Sequence, residues 1–128
     1  MKVLLDTNII IMAAKGEVTE EVERIICNSE NYLYYSIAAY WEMVIKYKWG
    51  KLALPIEPRQ IIDALKKSDY HALDIRESHV DKLANLPGIH KDPFDRIMLS
   101  QAISEKMMLL TTDSKLSDYG QNTLVVHG

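Results

Sequence analysis

HKDPFDRIMLSQA, residues 90–102, places two acids three positions apart across a proline, directly ahead of an apolar run. Proline suits the first position of a helix, where its missing N–H is one of the donors left over in any case. Asp92 then stands at the cap, where a carboxylate accepts from the backbone N–H groups of the first turn. Phe94, Ile97, Met98 and Ala102 supply an apolar face. The stretch predicts a helix opening at Pro93. It leaves Asp95 two roles: completing the cap with Asp92, or helping to hold a cation.

Working outward, Met107–Thr111 reads as a strand, Asp113 opens a short helix around Leu116, and Thr123–Val126 reads as a last strand. On the other side, Ser78 to Leu86 is helical and ends at Pro87-Gly88. His71 to Ile75 is a short strand or an extended connector. Val3-Leu4-Leu5 is a buried strand ending at Asp6, followed by a helix from Asn8 to Lys15 that Gly16 closes. Thr19 caps a helix running to Asn28, with Glu20 and Glu21 favourable in its first turn. Leu33 to Ile37 is a second strand and Ala38 to Trp49 a helix, with Trp41, Val44, Ile45 and Trp49 as its apolar face. Pro55 and Pro58 break the chain before a helix marked by Ile61, Ile62 and Leu65. Strands alternate with helices and no linker, repeat or low-complexity segment intervenes. The expectation is one α/β domain over residues 1–128 with a mainly parallel sheet.

The 128 residues are 48% hydrophobic and 26% charged, which suits a folded chain with a real core. A net charge of -3 argues against a broadly basic surface that grips nucleic acid everywhere, though not against a local site neutralised by cations. Cys27 is the single cysteine, so no internal disulfide forms; it reads as a small core residue, in a reducing compartment. No signal peptide or membrane span follows MKVLLD, and the cytoplasm is the expected location.

Open parallel α/β sheets gather ligands outside the carboxyl ends of their strands. Asp6 and Asp113 each follow a strand, Asp95 lies in the first turn of its helix, and Glu42 lies early in the helix after the second strand. Each acid also has a structural reading. Asp6 and Asp113 can cap helices, Asp95 can share the cap of Asp92, and Glu42 can pair with Lys46 one turn on. Four carboxylates in one pocket repel unless a positive charge intervenes. Magnesium, with its preference for hard oxygen ligands and retained waters, fits best, and manganese is compatible. Histidines 71, 79, 90 and 127 have no compact spacing with a cysteine, so zinc is not expected.

LLDTN (4–8), SIAAYWEMVIKYKWGKLALP (36–55), HKDPFDRIMLSQA (90–102) and LLTTD (109–113) together resemble the PIN-domain family, specifically its VapC-like toxins. The resemblance spans nearly the whole chain. It implies a three-layer α/β/α domain and magnesium- or manganese-dependent cleavage of RNA. Asp6, Glu42, Asp95 and Asp113 correspond to the metal-binding and catalytic set, with Thr111, Asn8 and Asp92 in support. The family often carries histidine at the position of Asn8; asparagine can hydrogen-bond there but cannot shuttle a proton. A cognate antitoxin and a homodimer are implied as partners, with no direct DNA binding by the toxin alone.

Lys46, Lys48, Lys51, Lys91 and Arg96, with His90, are the candidates for RNA phosphate contacts. Their plainer roles are a solvated helix end for the lysines and an ion pair with Asp92 or a nearby acid for Arg96. Tyr32, Tyr34, Tyr35, Tyr40 and Tyr47 could stack bases, but core or dimer packing is the expectation for them, and packing for Trp41 and Trp49. Two rivals share the topology. A receiver-like phosphoacceptor would need a second acid beside Asp6, and a catalytically silent interaction module that merely retains the fold would show no metal-dependent RNA cleavage despite normal folding and dimerisation.

Overall fold

The computed structural model describes residues 1–88, 92–120 and 122–126. Five strands, β1 (Lys2–Leu5), β2 (Tyr32–Ser36), β3 (His71–Leu73), β4 (Met108–Thr111) and β5 (Thr123–Val125), form one sheet in the order β3-β2-β1-β4-β5. All four pairings are parallel. The residues at 71–73 thus settle as an edge strand in register with β2, and the Tyr34 ring lies 5.2 Å from that of His71. Val3, Leu4, Leu5, Leu109 and Leu110 are fully buried. A parallel sheet covered on both faces needs such unbroken apolar runs, where a half-exposed strand would alternate.

The covering layers are α1 (Thr7–Ala14), α2 (Glu20–Ile26), α3 (Ile37–Lys48), α4 (Pro58–Lys67), α5 (Glu77–Ala84) and α6 (Pro93–Glu105), giving a three-layer α/β/α arrangement. Pro93 opens α6 as expected, and Asp92 Oδ1 accepts from the N–H groups of Phe94 (2.9 Å) and Asp95 (3.1 Å). From Ile97 to Ala102 every residue of α6 is buried, the polar Ser100 and Gln101 included. Those two make ties between elements. Ser36 donates to Gln101 Oε1 at 2.6 Å, Gln101 donates to the Asp74 carbonyl at 3.2 Å, and Ser100 donates to the His79 carbonyl. His79, fully buried on α5, accepts the Arg76 N–H at Nδ1 (3.0 Å) and faces Glu105 with Nε2 (2.8 Å). One ring nitrogen thus serves the N-terminal cap of α5 and the other ties α5 to α6.

Two expectations need correction. The buried stripe of α3 is Ala38, Ala39, Glu42 and Met43, whereas Trp41 is 55% and Trp49 72% exposed, and Val44 is exposed as well. Both stripes have helical spacing; the small alanines let α3 approach its neighbours closely, and the larger side chains are left outside. Cys27, expected in the core, is exposed at the C-terminal cap of α2, where Val22 is the buried residue.

Candidate metal and catalytic site

Helices that return between parallel strands point their N-termini at the strands' carboxyl edge. Residues near the starts of α1, α3 and α6 therefore lie towards the edge where β1 and β4 end. These two strands are neighbours, and the chain leaves β1 for β2 on one side and β4 for β5 on the other. Such a switch point opens a crevice between the diverging connections.

Asp6 follows β1 at that edge and is 2% exposed. Its Oδ1 accepts the Thr7 N–H at 2.7 Å, which caps α1, and its Oδ2 accepts the Thr111 hydroxyl at 2.6 Å. The same hydroxyl accepts the Asp113 N–H at 3.0 Å, so Thr111 joins the two strand ends. Asp113 in turn caps the short 3-10 helix Ser114–Tyr119 through the Lys115 N–H at 3.0 Å. Glu42, one turn and a half into α3, is 4% exposed. Its Oε1 accepts the Thr7 hydroxyl at 2.6 Å and its Oε2 is 2.5 Å from Lys46 Nζ. Asp95 is half-buried in the first turn of α6.

Asp6 and Asp95 each feel the charge of other acids. Burial pushes the Asp6 carboxyl up from 3.8 to about 6; Glu42 and Asp113 add to the rise, while the hydrogen bonds from Thr111 and Thr7 oppose it. Burial also raises Asp95, to about 8, followed by repulsion from Asp6, Asp92, Glu42 and Asp113. A carboxylate that resists ionisation this way sits in surplus negative charge with too little water to disperse it.

Hard oxygen donors in an excess of negative charge fit a magnesium-class cation. Among the described residues no three His, Cys, Asp or Glu side chains close into a ready metal cage. A magnesium-class ion can be held by one or two carboxylates, with water filling its remaining positions. A nitrogen- or sulfur-rich zinc site does not fit: His79 is committed to Arg76 and Glu105, and Cys27 lies on the surface at the end of α2.

The other sequence candidates are spread more widely. Lys46 reaches Glu42 directly. Lys48 and Lys51 are exposed at and beyond the end of α3, and Asn8 is exposed on α1. The Arg96 guanidinium donates to the carbonyls of Pro87 (2.8 Å) and Leu86 (3.4 Å), fastening the segment ahead of α6. His90, Lys91 and His127 lie outside the described residues. Thr7 escaped the sequence reading, although it orders two of the acids at once. Its only signal was adjacency to Asp6, and nothing in the spacing tells that α3 presents Glu42 to it.

The family model described as PIN domain matches residues 3–122. The chain belongs to the PIN domain family. The matched range runs from β1 past Asp113, so all four acids of this PIN domain fall inside it. Among solved structures, it resembles VapBC2 from Rickettsia felis bound to a DNA fragment from its promoter: TM-score 0.72, 20% identity, 99% of this chain and 98% of that one. The DNA-bound VapBC from Salmonella typhimurium gives TM-score 0.70, 18% identity and coverages of 99% and 98%. A toxin–antitoxin complex from Klebsiella pneumoniae gives 0.65, 20%, and 96% of both chains. At these identities the likeness is one of fold. No curated protein matches the chain in sequence. Among the described residues of this PIN domain, no helix is long and apolar enough to cross a membrane.

Proposed function

We propose that this PIN domain, acting as one unit over residues 1–128, is a divalent-cation-dependent endoribonuclease and the toxin of a toxin–antitoxin pair. The observation that carries this is the crevice in which Asp6 and Asp95 are forced to resist ionisation by burial and by their acidic neighbours. Crowded acids of this kind cost folding free energy unless they serve a ligand, which disfavours a silent interaction module. A receiver-like phosphoacceptor is disfavoured because Asp6 is followed by Thr7, whose hydroxyl is spent on Glu42.

Asp6, Glu42, Asp95 and Asp113 would hold magnesium, or manganese in its place. The cation supplies a lowered pKa for the attacking water and offsets charge on the scissile phosphate. The chain's own residues supply position. Thr111 and the Thr7 N–H fix both oxygens of Asp6, and the Thr7 hydroxyl fixes one oxygen of Glu42. Carboxylates held this way need little rearrangement when substrate arrives. The substrate is single-stranded or locally unpaired RNA, with Lys46 and the exposed Lys48 and Lys51 as phosphate contacts.

The likeness in fold to VapBC complexes supports a cognate antitoxin. An apolar groove of about 240 Å³ between α1 and α4, lined by Ile10, Ala13, Ile56, Ile61, Leu65 and Tyr70, offers it a surface. A second copy is supported by the exposed face of Trp41, Ile75 and Val80, where Trp41 meets Phe94 edge-on at 5.1 Å beside a cavity of about 270 Å³. The site of action is the cytoplasm, and the toxin alone does not bind DNA.

The test is cleavage of defined RNAs by wild type, Asp6→Asn and Asp95→Asn, in EDTA and then with magnesium or manganese restored. Cutting is expected from the wild type alone and only with the cation. Equal cutting by all three folded proteins would withdraw the assignment.

A further inference from the structure

Glu42 is buried with its two oxygens held in different ways. Oε1 takes the hydroxyl of Thr7, a buried residue at the start of α1. Oε2 takes the ammonium of Lys46, whose side chain is 43% exposed at the solvent side of the crevice. Lys46 is drawn there by more than Glu42, since Asp92 and Asp95 act on it as well. The Asp6 oxygens are held by a backbone N–H and a buried threonine, both parts of the fold. Lys46 is therefore the long, rotatable positive group among the contacts these two acids make, and an ammonium on a four-carbon stem can swing away without unfolding anything.

Resting on the nuclease assignment above, we propose that Lys46 is a resident counter-cation of the acid crevice. It must leave Glu42 before a divalent cation can be held there, and its released ammonium then meets the RNA phosphate. The exchange adds positive charge beside Glu42, since a singly charged ammonium leaves the carboxylate as a doubly charged cation arrives, and the displaced ammonium is then available to an approaching phosphate.

Calorimetric titration of the full chain with magnesium or manganese chloride, without RNA, tests the first half on wild type, Lys46→Met and Lys46→Arg, each checked for folding by circular dichroism. The Met variant, which keeps the length and loses the charge, should bind the cation about tenfold more tightly, a difference of ~1.4 kcal/mol. The Arg variant should stay near wild type. Unchanged or weaker binding by the Met variant, or no binding by any of the three, overturns the proposal, as does an Arg variant as tight as Met. RNA cleavage tests the second half. The Met variant should saturate at lower metal but show a raised KM for RNA, and an unchanged KM removes the phosphate contact. The titration needs no turnover, so its failure is separate from a failure of the nuclease assignment, which rests on Asp6→Asn and Asp95→Asn.

Discussion

Asp6→Asn keeps the outline of the side chain and removes its charge. Asparagine is as good a helix cap as aspartate, so the bond from the Thr7 N–H survives, and the Thr111 hydroxyl can turn to accept where it now donates. What disappears is a buried charge. The folded-state pKa of Asp6 is raised from 3.8 to about 6, so the folded protein holds this proton more tightly than the unfolded chain does. The penalty is absent below pH ~4, grows as pH climbs towards 6 and is complete above that. At ~1.36 kcal/mol for each pH unit between the two values, its ceiling is about 3 kcal/mol. Without cation at pH 7.5, Asp6→Asn should therefore be more stable than wild type by about 1–3 kcal/mol, or roughly 4 °C in melting temperature for each kcal/mol. The gain should shrink to about a third at pH 4.5, and RNA cutting should be lost at every pH. Adding magnesium should raise the wild-type melting temperature more than the variant's. Thermal melts in EDTA across this pH range decide the matter. A variant that melts below wild type at pH 7.5, or one whose advantage is the same at both ends, would refute the electrostatic account of the crevice.

Thr7→Val removes the hydroxyl that Glu42 Oε1 accepts; urea unfolding should show a loss of about 1–3 kcal/mol, and cleavage should slow through kcat. His79→Ala strips Glu105 and the Arg76 N–H of a shared partner and leaves a void between α5 and α6, at a cost of about 2–4 kcal/mol. Its affinity for magnesium, measured by calorimetry, should not change. Trp41→Ala with Val80→Glu acts on exposed side chains, so stability should stay within ~0.5 kcal/mol, while light scattering should show a shift from dimer to monomer. A wild-type monomer would remove that interface.

How much of this could be read in advance depended on the distance over which each residue's partner was set. Asp92 and Pro93 specify the start of α6 through their own neighbours, and the structure has both where the sequence put them. Leu4-Leu5 and Leu109-Leu110 announced buried parallel strands by their lack of alternation, and the order of elements then implied a common edge for the acids. The Glu42–Lys46 pair followed from one helical turn. What failed was the choice between two stripes on α3. Periodicity is blind to which face a helix buries, and hydrophobicity favoured Trp41 and Trp49 over a stripe holding two alanines and an acid. Thr7 was illegible because its role requires α1 and α3 to be docked first, and Arg96 because its carbonyl partners at 86 and 87 carry no side-chain signal.

The hydrogen bond from Thr111 to Asp6 closes a span of 105 positions, and β1 lies between β2 and β4 in the sheet. A ribosome that has delivered only the first hundred residues has already made Asp6, Glu42 and Asp95, yet β1 still lacks one neighbour and Asp6 one of its two clamps. The second clamp on Asp6 therefore forms only after β4 has been made and has docked beside β1.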